Sequence, residues 1–167
     1  MPSSILTLHA YQSWMPDHDR GYVRDGQIHP PDIEQAYRYR RQAGNDGVVF
    51  DADQLQLMHS GALDIARRRD WIVHAVFGES THLHIVFDWH GTTVDRVKQL
   101  VPNLLSKFLG QQAGVTGKRW FGRRPSFRPV RDEAHREYLI GDYQRKHGML
   151  RWRAGDPEPP SLGELLA

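Results

Sequence analysis

Two histidines stand two positions apart in a run of strand-forming residues and could bind a metal. His82 and His84 flank Leu83 and are followed by Ile85-Val86-Phe87. Because side chains alternate along a strand, both imidazoles leave one face while Leu83 enters the core on the other. Two neighbouring imidazoles can bind a single divalent cation. A His-x-His pair also arises without any metal role, and the pair alone leaves both interpretations open.

A tyrosine and a third histidine have helical spacing near the end of the chain. Tyr143 and His147 are four residues apart, which places them on one face of the helix predicted there. His147 can then supply a third ligand and bring the Tyr143 hydroxyl close to the metal. Tyr138 lies about half a turn round the axis from His147 and is predicted to point away. The alternative is that both tyrosines only anchor the helix on the sheet, an interpretation that we favour for Tyr138. With two candidate tyrosines, the identity of a nucleophile stays open.

The positive charge of the chain is concentrated in a stretch that leads into this helix and includes it. The net charge is only +2, but residues 118–153 carry 11 Lys and Arg against 4 Asp and Glu. Cations there alternate with aromatic residues, a pattern typical of single-stranded nucleic-acid binding, in which cations contact phosphates and rings stack on bases. The alternative is a solvated basic loop whose rings belong to the core. The predicted DNA contacts are Lys118, Arg119, Trp120, Arg123, Arg124 and Arg128.

Composition excludes several kinds of site. With 167 residues the chain fits one domain, and the absence of cysteine excludes disulfides, thiolate zinc sites and cysteine nucleophiles. No apolar run reaches membrane-spanning length, so no membrane association is expected. We expect a single domain over residues 1–153 and an acidic, proline-rich tail over 154–167.

Hydrophobic periodicity supplies the elements that must position these residues. Loops are predicted at Met15-Pro16-Asp17 and Asp25-Gly26, and a four-residue loop at Gly78-Glu79-Ser80-Thr81. Strands are predicted at 4–12, 71–77 and 82–89, with a strand or β-loop at 120–130. Helices are predicted at 31–43, at 53–69, from Thr92 or Thr93 with a kink or late start at Pro102, and from Arg131 or Asp132 to His147 with Gly148 as its cap.

This order predicts an α+β fold: a ferredoxin-like antiparallel sheet with helices packed on it. The His-x-His pair would lie on a central strand and the tyrosine on the last helix.

Several segments together resemble the HUH single-tyrosine transposases, the insertion-sequence 200/605 type that includes the REP-associated tyrosine transposases. The resemblance spans most of the chain. Residues 14–23 (Trp-Met-Pro-Asp-His-Asp-Arg-Gly-Tyr-Val) are similar to a family segment that follows the first strand, although Asp17-His18 replaces the family's Gly-Asp. The other matching segments are His82-Leu83-His84, Trp120-Phe121, Phe127-Arg128-Pro129-Val130 and Tyr143-Gln144-Arg145-Lys146-His147-Gly148.

The resemblance implies a DNA transposase that cleaves and rejoins hairpin-bearing single-stranded DNA. Tyr143 would form a 5′-phosphotyrosine, and His82, His84 and His147 would hold Mg²⁺ or Mn²⁺; imidazole ligands favour Mn²⁺. No nucleotide cofactor is implied. Action as a homodimer and a bacterial cytoplasmic location, at the nucleoid through DNA, are also implied.

Three other functions compete with this one. A histidine-triad hydrolase requires His-x-His-x-His, but Val86 stands at the third position, and a two-histidine phosphoesterase requires paired His-x-Thr or His-x-Ser motifs that the chain lacks. The stronger rival is a domesticated or non-catalytic member that binds palindromic or hairpin DNA.

Overall fold

The protein is described here by a computed structural model covering residues 1–24, 27–43 and 47–167. Its strands are β1 (Ser3–His9), β2 (Tyr22–Arg24), β3 (Gln27–His29), β4 (Ile72–Glu79), β5 (His82–Asp88), β6 (Ser126–Pro129) and β7 (Leu150–Arg153). Its helices are α1 (Ile33–Ala43), α2 (Ala52–Arg69), α3 (Val94–Ala113), α4 (Glu133–Tyr138), α5 (Gln144–His147) and α6 (Leu162–Leu165). A π-helical segment, Leu139–Tyr143, joins α4 to α5.

The main sheet has five antiparallel strands in the order β6-β1-β5-β4-β7, and β2 pairs with β3 as a separate hairpin. The first four of these strands, with the helices between them, form the βαββαβ arrangement of ferredoxin-like folds. The predicted α+β class is confirmed, with the His-x-His pair on the central strand β5. The edge strand β7 and the β2–β3 hairpin were not predicted, and α6 follows the helical run that carries the tyrosine.

The larger core lies between the sheet and helices α2 and α3. Asp51 and Gln54 form a capping box at the start of α2, and Thr93 caps α3. Gly61 lets the two helices approach closely, since a Cβ there would lie 2.9 Å from side-chain atoms of Leu105 and Phe108.

Helix α3 runs without interruption through Pro102, so the predicted late start is wrong. Proline removes one backbone hydrogen bond at a cost of about 3 kcal/mol. The buried face of the helix offsets this cost, because Val97, Val101, Leu105 and Leu109 are each at most 3% exposed.

The hairpin that carries the histidines is tighter than predicted. Strand β4 continues through Gly78 to Glu79, leaving a two-residue turn at Ser80-Thr81. A glycine is required at this strand position, because a Cβ on residue 78 would lie 2.9 Å from the His82 carbonyl oxygen. Glu79 is consequently paired with His82 across the hairpin instead of lying in a loop.

The two faces of the sheet bury different clusters. Along β5, Leu83 and Ile85 face α2 and α3, whereas Val86 faces the other side. There a smaller apolar cluster contains Ile5, Ala75, Phe77, Val86 and Leu139, beneath residues 133–147. This second face carries His82 and His84.

The predicted tail, residues 154–167, contains a short helix that packs on the core. Leu162, Leu165 and Leu166 in the predicted tail pack against the main core, and α6 contacts α2. The predicted loop at Asp25-Gly26 lies outside the described residues. Of the helices in the described ranges, none combines the length and apolar character needed to cross a bilayer.

Candidate active site

A cleft of about 720 Å³ lies between the second face of the sheet and the helical run 133–147. Antiparallel pairing of β1 with β5 sets His9 opposite His82 and Thr7 opposite His84, so that four polar side chains share this face. The other lining residues include Trp14, Arg20, Arg128, Arg131, His135, Tyr138, Tyr143 and His147.

His84 is held in an orientation suited to binding a ligand. Its Nδ1 lies 2.8 Å from the Thr7 hydroxyl, and its buried Nε2 has no hydrogen-bond partner among the described residues. Burial, and then the neighbouring His82, His147 and His9, lower the pKa of His84 to about 3. The ring is therefore neutral near pH 7. With Nδ1 donating to Thr7, the Nε2 lone pair is left without a partner, as in a metal-ligating histidine.

Three further ligand groups meet beside His84. A cluster that could hold a metal ion is formed by Glu79, His82 and His147. Each contributes one ligand atom, and these three atoms lie within 4.8 Å of one another. The ring centroid of His84 lies 4.8 Å from that of His82 and 6.2 Å from that of His147. The structure thus brings the three predicted histidines together. The cluster of three ligand groups, however, contains Glu79 in place of His84, and His84 lies beside that cluster.

The residues fit the divalent cation that the family resemblance implies. Burial is the main cause that lowers the pKa of His82, and its Nδ1 lies 3.0 Å from the Thr81 hydroxyl, leaving Nε2 for a ligand. Neutral imidazoles and a carboxylate suit borderline divalent ions such as Mn²⁺. The Nε2 of His84 has no partner among the described residues and His84 lines the cleft, so this nitrogen is available to bind the ion.

Tyr143 lies against these histidines. Its ring centroid is 4.3 Å from that of His147 and 5.4 Å from that of His84. Burial, and then the nearby Tyr138, raise the pKa of the Tyr143 phenol above its usual value. The backbone holds the helical run at both ends, where the Val130 and Met149 amides donate to strands β1 and β4.

Tyr138 also faces the cleft, and the prediction that it points away is wrong. Within the π-helical segment the Gln144 amide donates to the Leu139 carbonyl five residues earlier, which widens that turn. The ring centroids of Tyr138 and Tyr143 consequently lie 6.1 Å apart, and both tyrosines line the cleft. A regular α-helix would separate residues five apart by about 140° around the axis.

The predicted DNA-contact residues fall into two groups. Trp120 is only 2% exposed and belongs to the core, so its predicted stacking on bases is wrong. Lys118 lies over the Trp120 ring, and Arg119 over the ring of Tyr11. All five basic residues of the set are exposed, and of these Arg128 lines the cleft.

Several residues at or beside the cleft are not predicted as site residues from the sequence. His9 reaches the cleft only because of the β1–β5 register, which no local pattern reveals. Glu79 could have been found from the sequence, since treating Ser80-Thr81 as a two-residue turn pairs it with His82. Arg20, Arg131 and Trp14 come from loops that long-range contacts bring to the cleft.

Comparison with known proteins gives one match. No protein-family model matches the chain. No curated protein matches it either. One solved structure, a REP-associated tyrosine transposase bound to a REP hairpin, is similar at 10% identity and a TM-score of 0.43, covering 83% of this chain. This chain spans 62% of the length of that one. These values describe a distant likeness of fold.

Proposed function

We propose that this protein is a metal-dependent tyrosine transesterase that cleaves and rejoins hairpin-bearing single-stranded DNA, as transposases of the HUH type do. The observation that carries the proposal is the placement of Tyr143 against His147 and His84, at the edge of the Glu79, His82 and His147 cluster. A candidate nucleophile and a candidate metal site thus share one cleft.

The protonation of Tyr143 defines what the site must do. Its raised pKa keeps the phenol neutral near pH 7, so the phosphodiester must be made easier to attack. A divalent cation, Mg²⁺ or more favourably Mn²⁺, held by Glu79, His82 and His147 beside His84, would withdraw charge from a phosphoryl oxygen.

The proposed step is an exchange of esters. A bond forms between Tyr143 Oη and phosphorus while the bond from phosphorus to the 3′ oxygen breaks. The phenolic proton leaves Oη, and the departing 3′ oxygen takes up a proton. The products are a 5′-phosphotyrosine and a free 3′-hydroxyl, and the same steps in reverse rejoin the strand. Because one ester replaces another, no nucleotide cofactor is needed.

The cleft offers contacts for a nucleic-acid backbone. Arg20, Arg128 and Arg131 line it together with the histidines and tyrosines, and guanidinium groups bind phosphates. The segments that resemble the HUH single-tyrosine transposases include residues 14–23 and 143–148, both of which contribute to this cleft.

The test is covalent capture of the protein on hairpin oligonucleotides in Mn²⁺, Mg²⁺ or EDTA. The proposed polarity predicts a denaturant-resistant adduct that carries a 3′-end label, whereas a 5′-end label leaves on the free fragment. Tyr143→Phe should abolish the adduct, and the matched variant Tyr138→Phe should retain it. Melting curves of both variants establish that they are folded.

Other results point elsewhere. An adduct that survives Tyr143→Phe but disappears in Tyr138→Phe would assign the nucleophile to Tyr138. Hairpin binding with no adduct in either metal would favour the non-catalytic DNA-binding alternative.

A further inference from the structure

Trp14 is a large aromatic residue left exposed beside the candidate metal site. It is 45% exposed and lines the same cleft as Tyr143 and His147. His18 stacks on the indole, with ring centroids 4.1 Å apart and planes 13° from parallel. On the side of the histidine cluster, the His9 ring is tilted relative to the indole, with ring centroids 6.0 Å apart. One indole face is therefore covered by His18, and a large part of the ring is open.

The loop that carries Trp14 is fastened to the elements of the site. The Ser13 hydroxyl donates to the carbonyl oxygens of Ala10 and Thr81, and Thr81 directly precedes His82. Farther along the loop, Asp17 accepts two hydrogen bonds from Arg40 of helix α1, at 2.8 and 3.1 Å. These contacts fix the loop at both ends, so the indole is held before any ligand arrives.

The same loop supplies a cation. The Arg20 amide donates to His18 Nδ1 at 3.2 Å, and Arg20 lines the cleft together with Arg128 on strand β6. An exposed ring that shares one cleft with two arginine side chains matches the two parts of a nucleotide, a flat base and a charged phosphate. An apolar partner would bury these cations without compensation.

We propose that the Trp14–His18 stack is the platform for one unpaired base of the DNA strand, whose adjoining phosphate lies between Arg20 and Arg128. This inference rests on the proposed function, because it concerns the strand that Tyr143 would cleave. Trp14 thereby takes the stacking role that the sequence suggested for Trp120, which the fold buries.

Binding measured without metal separates this role from catalysis. Fluorescence anisotropy in EDTA would compare wild type, Trp14→Ala and Trp14→Phe on single-stranded oligonucleotides, with Tyr37→Ala as control. Tyr37 is an exposed aromatic residue, 60% exposed, on α1 and not among the residues that line the cleft. Loss of one stacked base should weaken binding of Trp14→Ala about 5- to 150-fold. Trp14→Phe should retain most of the affinity, and Tyr37→Ala all of it.

Abasic substitution along the oligonucleotide identifies the base. One abasic position should weaken binding to wild type by a similar factor and leave binding to Trp14→Ala unchanged, because the platform is already missing. Arg128→Ala should instead reduce the salt dependence of binding.

The outcomes distinguish the two proposals. Equal affinity of Trp14→Ala and wild type, or equal abasic losses in both, would overturn the platform and leave the proposed function standing. No binding of single-stranded DNA by wild type would overturn both. Circular dichroism spectra and melting curves of the variants show whether each is folded.

Discussion

The imidazole of His59 predicts how this fold responds to acid. His59 lies in α2, is 2% exposed, and has an Nε2 with no partner among the described residues. Burial lowers its pKa from 6.5 to about 4. The folded protein therefore holds this ring neutral, whereas the unfolded chain takes up a proton near the ordinary pKa of about 6.5.

The sign and size of the effect follow from linkage. A histidine whose pKa is lowered by folding contributes stability that is fully present above pH 6.5 and is lost as the pH falls towards 4. For this shift, the contribution lost between pH 7 and pH 5 is about 2 kcal/mol, and it reaches about 3 kcal/mol at pH 4. His84, whose pKa is also lowered, adds a loss of the same sign.

The perturbation is His59→Leu, measured by urea unfolding at pH 7 and at pH 5. Each protein is compared with itself at the two pH values, so any change in packing at position 59 cancels. The free energy of unfolding of His59→Leu should fall by about 2 kcal/mol less than that of wild type. The control is His90→Gln, because the His90 side chain is 43% exposed, and it should follow wild type.

Parallel losses in wild type and His59→Leu would refute the reasoning, since they would mean that the buried ring does not control the acid response. The result also bears on the candidate active site. Once the contribution of His59 is removed, the acid response that remains includes that of His84, which makes the pH dependence of the site easier to measure.

Substitutions at three further positions test other parts of the structure. Thr7→Val removes the oxygen that orients His84 and should weaken Mn²⁺ binding about 10- to 100-fold in an electron paramagnetic resonance titration. Thr7→Ser should restore binding, and equal binding by Thr7→Val would argue against that orientation. Glu79→Gln should also weaken Mn²⁺ binding, and unchanged affinity would remove Glu79 from the ligand set. Gly61→Ala should lower the free energy of unfolding by about 1–3 kcal/mol through overpacking against Leu105, with Mn²⁺ binding unchanged; full stability in urea would contradict the close helix contact.

The elements of this fold were predictable where local patterns are strong. Apolar spacing located α2 and α3, and the capping residues Asp51 and Thr93 fixed their starts in the structure. Partial alternation located β1, and runs of strand-forming residues located β4 and β5. The alternation of side chains along a strand put His82 and His84 on one face. In each case the pattern that identifies the element lies within one segment of the sequence.

Features that depend on distant contacts were not predictable from local pattern. Strand β7 forms because residues 150–153 pair with β4. This pairing joins segments far apart in the chain, and a run of four residues carries no pattern that predicts it. The burial of Trp120 has the same origin, since the ring lies in a core assembled from segments far apart in the chain. A basic-aromatic sequence has the same local appearance whether its rings are exposed or buried.

The π-helical turn is the local feature that most changed the site. It places Tyr138 beside Tyr143. The α-helical spacing of the two tyrosines in the sequence therefore does not predict which of them lies on the side of the histidines. A widened turn forgoes regular α-helical hydrogen bonds, and such turns are frequently found at functional sites. Its position immediately before α5 therefore favours a role in presenting the two phenols over a purely structural one.

The sheet separates stability from chemistry. Its first face is covered by α2 and α3 over the larger core, and its second face carries the histidines over a small cluster beneath the tyrosine run. That run also contacts the sheet through Arg136 of α4, whose guanidinium lies 4.0 Å from the Asp88 carboxylate at the end of β5. The same carboxylate lies 3.0 Å from His74 of β4. A substitution of a polar group on the second face therefore leaves the packing of the core on the first face in place. The ferredoxin-like layer makes this division possible, because every strand presents alternate side chains to the two faces.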